Sequence, residues 1–91
     1  MRIRLDDLPE PERLALTDMV LKQGLLRTEA GYGEQPGHAP HVIDALQSRE
    51  LCRVWSLHHT RAVPSKTGWN LVRNALKRAG TKVGTFPTSL G

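Results

Sequence analysis

Four histidines and a single cysteine are the side chains of this sequence best suited to metal binding. His38 and His41 are three residues apart, His58 and His59 are adjacent, and Cys52 stands alone. Structural zinc sites use paired ligands, such as two closely spaced cysteines with two histidines. A second cysteine is lacking, and adjacent histidines in a strand point to opposite faces. Zinc bound by His38, His41 and one of the adjacent pair remains an alternative, but we expect these histidines to be surface residues.

Cys52 together with a histidine could also form a nucleophilic catalytic pair. It lies at the entry of an apolar strand, where a buried, unreactive thiol is expected. The segment Gly31-Tyr32-Gly33 is not followed by the Lys, Ser or helix start of a phosphate-binding loop. We therefore expect no enzymatic activity, no cofactor and no metal. A single cysteine excludes an internal disulfide and favours a reducing compartment.

Charge is distributed unevenly along the 91 residues, whose formal net charge is +4. Residues 1–46 contain five Lys or Arg and eight Asp or Glu, and residues 47–91 contain eight Lys or Arg and only Glu50. The balances are therefore −3 and +7. A basic half on an acidic body is typical of a polyanion-binding protein, although a solvated basic surface is the alternative.

Apolar periodicity, prolines at helix starts and glycines after helix ends predict one compact α+β domain. From Leu51 to His59 the pattern of side chains alternates with a period of two residues, which predicts a strand. The predicted domain spans 1–80, with an extended or flexible tail at 81–91. The predicted elements are helices at about 11–23, 40–49 and 65–79, an antiparallel sheet or wing at about 51–57 and 60–63, and a short hairpin at 25–34.

The first predicted helix has a broader apolar surface than one core contact requires. Leu16, Met19 and Val20 share one face, and Leu14 and Leu21 lie on a second. Either the fold covers both faces or a second copy of the chain packs on this helix, so a homodimer is expected. No apolar run is long enough to span a membrane, and the first residues lack the apolar stretch of a signal peptide, so a cytoplasmic location is expected.

Two segments resemble the winged helix-turn-helix family. In residues 42–54, an apolar helix face is followed by a polar turn and by Leu51 at a strand entry. In residues 63–72, a strand leads into a helix that starts with Ser65 and has Gly68 three residues later. Glu50 replaces the family's glycine before the strand-entry leucine. The Gly- and Pro-containing stretch 31–40 stands where the family has the helix that precedes its recognition helix.

The resemblance implies that the second helix lies in or across the major groove of double-stranded DNA. Gln47 could then read an adenine edge, whereas Asp44 opposes deep insertion. Arg53 could contact a phosphate or cover Trp55, and both tryptophans fit a core role better than a stacking role. The residues expected to contact nucleic acid are His41, Gln47, Ser48, Arg49, Arg53, His58, His59, Arg61, Lys66, Arg73 and Lys77.

The leading functional hypothesis is a dimeric DNA-binding regulator, or an accessory factor of a phage or mobile element. The alternative is a protein-interaction module on the same fold, such as a phage-encoded inhibitor of a host nuclease, similar to anti-CRISPR proteins. In that case the host protein would be the partner. The acidic side chains of the first half, which include Asp6, Asp7, Glu10, Glu12 and Asp18, would face its basic nucleic-acid channel.

Overall fold

The computed structural model describes residues 4–29, 31–33, 37–56 and 58–80. It is an α+β fold of three helices and a four-stranded antiparallel sheet, as predicted. A short 3-10 helix at Leu5–Asp7 precedes these elements. The helices and strands are, in chain order, α1 Glu10–Leu21, β1 Leu25–Thr28, β2 Gly31–Tyr32, α2 Pro40–Ser48, β3 Cys52–Ser56, β4 Thr60–Pro64 and α3 Lys66–Arg78.

The strand order β2-β1-β4-β3 gives the sheet a winged-helix-like arrangement. β3 and β4 form the hairpin that follows α2. β4 also pairs with β1, the strand that follows α1. β1 and β2 form the short hairpin predicted at 25–34. Among the described residues between β1 and α2, the chain forms β2 and a bridge between Tyr32 and His38.

The boundaries of the elements differ from the prediction by one or two residues. α1 ends at Leu21 rather than near residue 23, because Gln23 and Gly24 adopt φ values of 58° and 124° that no helix can contain. α2 ends at residue 48. The two strands of the hairpin cover 52–56 and 60–64. α3 begins at Lys66 because Ser65 is its N-cap.

The helices and the inner face of the sheet enclose one hydrophobic core. Leu16 and Met19 of α1 and Ile43 and Leu46 of α2 are completely buried there. Trp69 of α3 is only 7% exposed, which confirms its predicted role in the core. α2 contacts both β2 and β3, so its buried side lies across the inner face of the sheet.

An ion pair and a carboxylate–histidine contact tie α1 to the segments around α2. Glu12, which is buried, accepts a hydrogen bond from Nε of Arg49 at 2.9 Å. Asp18 lies 3.0 Å from Nε2 of His38 and 3.4 Å from Nζ of Lys22. Removing Arg49 would leave a buried carboxylate without its cation, so part of its role is structural.

The predicted tail at 81–91 lies outside the described residues. Within residues 4–29, 31–33, 37–56 and 58–80, no helix is both long and apolar enough to cross a membrane.

Candidate nucleic-acid interface

The exposed side of α2 contains the residues predicted to face a groove. Val42, Ile43 and Leu46 point into the core. This places His41 at the first turn and Gln47 at the last turn of the exposed side. Ser48 is also exposed there, and the exposed Asp44 lies between the two ends.

Three of the predicted contact residues, Gln47, Arg53 and Lys66, converge on one open cleft of about 460 Å³. They come from the end of α2, from β3 and from the first position of α3, respectively. A cleft assembled from three elements is a property of the fold and not of one segment. Its lining residues are Gln47, Glu50, Cys52, Arg53, Ser65, Lys66 and Thr67.

Ser65 joins the walls of this cleft. Its hydroxyl oxygen accepts a hydrogen bond from the backbone N–H of Gly68 at 3.1 Å, which caps α3. The same hydroxyl donates to the carbonyl oxygen of Glu50 at 2.8 Å. Its backbone N–H donates to the carbonyl oxygen of Leu51 at 3.0 Å. The start of α3 is therefore held directly against the turn that connects α2 to β3.

Glu50 adopts the left-handed backbone conformation, with φ at 62°. A glycine adopts this conformation with little strain, whereas in a residue with a Cβ atom the Cβ comes too close to the backbone carbonyl oxygen. The position therefore keeps the backbone geometry that the glycine of winged-helix sequences would provide. The replacement also places an acidic side chain at the cleft.

The cleft has the chemistry of a weak anion site. The first N–H groups of a helix and its dipole favour negative charge, and Lys66 and Arg53 add two cations. The Glu50 carboxylate offsets part of this charge. Such a site suits a phosphate that belongs to a larger polyanion bound at several points.

A basic stripe continues from the cleft along α3. Arg73 and Lys77 lie seven and eleven residues after Lys66, close to two and three helical turns, so the three side chains share one side of α3. All three are exposed. The guanidinium of Arg73 lies 5.4 Å from the centre of the Trp69 ring, which holds it near the helix surface.

The hairpin of β3 and β4 holds three more predicted residues, of which Arg61 lies on the face of the sheet opposite the helices. His58 and His59 lie exposed in the connection between the strands, and Leu57 is outside the described residues. Arg61 pairs with Trp55 across the hairpin. Trp55 is 48% exposed, so its predicted place in the core is wrong: strand alternation sends it to the outer face of the sheet.

Eight of the eleven predicted residues do not line the cleft, and His41 and Arg49 are the two that also lie outside the α3 stripe, the hairpin and the last turn of α2. His41 lies at the opposite end of α2. Arg49 follows α2, but its guanidinium is engaged by Glu12. Conversely, Ser65, Thr67 and Glu50 line the cleft and were not among the predicted site residues. Only the position of Ser65 as an N-cap could have indicated its importance.

The histidines and Cys52 are the candidate metal ligands of this sequence. Among the residues it describes, no group of three or more His, Cys, Asp or Glu side chains is arranged to hold a metal ion. Cys52 is buried, and its thiol lies 3.6 Å from the carbonyl oxygen of Ile43. Burial, with the Asp44 carboxylate adding to its effect, raises the pKa of the Cys52 thiol from 9.0 to about 11.

This raised pKa predicts a loss of stability at alkaline pH. Above pH 9 the unfolded chain loses the Cys52 proton first, while the folded chain keeps it until its pKa of about 11 is reached. The free energy of unfolding should therefore fall by roughly 1 kcal/mol between about pH 8 and about pH 10 because of this residue alone. Urea unfolding of the protein and of a Cys52→Ala variant measures the difference; parallel pH profiles would show that Cys52 does not contribute.

Comparison of this chain with protein-family models, with curated proteins and with solved structures finds no match.

Proposed function

We propose that this chain is a small, non-enzymatic nucleic-acid-binding protein that acts on DNA as a regulator or accessory factor. The observation that supports the proposal most strongly is the convergence of Gln47, Arg53 and Lys66 on one cleft. The basic stripe of Lys66, Arg73 and Lys77 leads away from this cleft along α3. Cations arranged over a continuous surface bind a polyanion by releasing its counterions.

The exposed side of α2 gives the proposed complex its orientation. The last turn of α2, with Gln47 and Ser48, enters the groove edge, and the cleft beside it receives a backbone phosphate. Asp44 lies in the middle of the exposed side and would be repelled by phosphates. We therefore expect contact by the end of α2 rather than insertion of its whole length.

Retention of the protein on a random DNA duplex, measured as salt is raised, tests the proposal. We expect binding at micromolar protein and low salt, with affinity falling steeply as salt increases. The absence of any shift in the mobility of the duplex under these conditions would refute it. Binding that is insensitive to salt would refute the electrostatic mode.

The proposed DNA-binding form is a homodimer assembled through α1. Leu14 and Leu21 are 54% and 57% exposed and are seven residues apart, so they lie on the same side of the helix. The core covers the other apolar face of α1 and leaves this one uncovered. One module of this size buries too little surface for tight DNA binding, and a second copy would double the contacts.

A Leu14→Ser/Leu21→Ser variant should be monomeric, because serine removes the apolar surface that the two copies would bury. Sedimentation velocity should give the wild type a mass of twice 10.1 kDa at high micromolar concentration and the variant a mass of 10.1 kDa. Leu26→Ser is the matched control, since Leu26 is also about half exposed but lies on the sheet. A monomeric wild type, or a control that dissociates as well, would contradict the α1 interface.

A further inference from the structure

The outer face of the sheet contains a row of three side chains for which the duplex complex provides no role. Leu26, Arg61 and Trp55 are aligned, because Arg61 is the register partner of Leu26 on β1 and of Trp55 on β3. Register partners in antiparallel strands point to the same face. Leu26 and Trp55 are 52% and 48% exposed, and Arg61 is exposed.

Trp55 lies between two arginines. Arg61 faces it across the hairpin, and Arg53 is two residues earlier on the same face of β3, at a distance of about 7 Å along the strand. Arg61 is also anchored, because its Nη2 donates to the carbonyl oxygen of Gln23 at 3.3 Å. Residues 51–64 contain no acidic side chain. The indole is therefore an aromatic surface with one arginine opposite it on β4 and another two residues earlier on its own strand.

We infer that this row binds unpaired nucleotides of single-stranded DNA, with a base stacked on the indole of Trp55 and phosphates beside Arg53 and Arg61. In a duplex the faces of the bases are covered by their neighbours, so only an unpaired base can stack on an exposed side chain. Arg53 lines the phosphate cleft as well, which makes the two surfaces continuous. The inference rests on the proposed function and assigns it a substrate class.

The positive charge of this face disfavours a protein as its binding partner. An apolar partner that covered Leu26 and Trp55 would also have to cover Arg61, which lies between them in the strand register, and desolvating its guanidinium has a large cost. A second copy related by a two-fold axis would bring the arginines of the two faces together. A nucleic-acid strand supplies an aromatic surface for the indole and anions for the arginines at the same time.

The test compares the affinity for an oligothymidylate of about 12 nucleotides with the affinity for a duplex of the same length, by fluorescence anisotropy. Trp55→Leu should weaken binding of the single strand about tenfold and leave the duplex affinity within about twofold, since leucine keeps the apolar surface but removes the aromatic one. Trp55→Phe should retain most of the single-strand affinity. Leu26→Ala, at the other end of the row, should lower the single-strand affinity by less than about threefold, since leucine has no ring on which a base could stack.

The outcomes separate this inference from the proposed function. If Trp55→Leu binds the single strand as tightly as the wild type does, stacking is overturned, and salt-dependent duplex binding still supports the proposed function. If the change weakens both substrates equally, the residue contributes to duplex binding and the assignment of a single-stranded substrate is wrong. If the wild type binds neither DNA, both proposals fail.

Discussion

A Gly68→Ala variant should be less stable than the wild type by roughly 3 kcal/mol, the upper part of the range for overpacking a closed site. Gly68 lies in the first turn of α3, where its backbone crosses close to β3. A Cβ atom at this position would overlap the carbonyl oxygen of Leu51 and would press against Leu16. Alanine would gain about 1 kcal/mol of helix propensity, but the neighbour is backbone and cannot rotate away.

Thermal unfolding checks this prediction, because about 3 kcal/mol in a domain of this size lowers the midpoint by more than about 10 °C. Gly80→Ala is the control. Gly80, unlike Gly68, has a left-handed φ, at 83°, but an added Cβ would meet nothing within 4 Å. Gly80→Ala should therefore lower the free energy of unfolding by only about 1 kcal/mol, through backbone strain. Equal losses for the two variants would show that close packing at Gly68 is not the cause.

The segment from Val63 to Gly68 shows what the sequence can predict. A strand, a proline, a serine and a glycine three residues later predict the entry of a helix, and the structure has Ser65 capping α3 through the N–H of Gly68. Such local patterns depend on backbone conformation and hydrogen bonds within a few residues. The same reasoning located α1, α2 and both hairpins to within one or two residues.

The sequence could not predict which distant segments meet. β1 pairs with β4 across more than thirty residues. The hydroxyl of Ser65 reaches the carbonyl oxygen of Glu50, which completes the cleft. No periodicity encodes either contact. Gln47, Arg53 and Lys66 were therefore predicted only as separate contacts, and the parts of the cleft formed by Glu50, Ser65 and Thr67 were missed.

Trp55 shows why a face assignment from sequence can fail. The alternation in β3 correctly separates Arg53 and Trp55 from Cys52 and Val54. This alternation does not indicate which face the helices cover, and the large apolar side chain of Trp55 favoured a place in the core. The arginines at positions 53 and 61 were the signal that this face is exposed, because a buried strand face rarely accommodates two charged guanidinium groups.

An Arg53→Glu/Lys66→Glu variant should lose most of the affinity for duplex DNA. Each reversal replaces an attractive phosphate contact at the cleft by a repulsive one, and two phosphate contacts contribute about 2 to the slope of log affinity against log salt. Both side chains are exposed and make no ion pair within the described part of the chain. The fold should therefore be retained, which circular dichroism can verify.

The control for this variant is Lys22→Glu/Arg27→Glu. It lowers the formal net charge from +4 to 0, as the cleft variant does, since each reversal changes the charge by two. Lys22 follows α1 and Arg27 is on β1, so neither lines the cleft. A general charge effect would weaken both variants equally, whereas a local site would weaken only the first.

The salt dependence of duplex binding by the wild type and these two variants tests the central claim most directly. The proposed interface predicts a slope lower by about 2 and a large loss of affinity for Arg53→Glu/Lys66→Glu, with the Lys22→Glu/Arg27→Glu slope close to that of the wild type. The same slope and affinity for all three proteins would contradict the claim that the cleft between α2, β3 and α3 binds DNA.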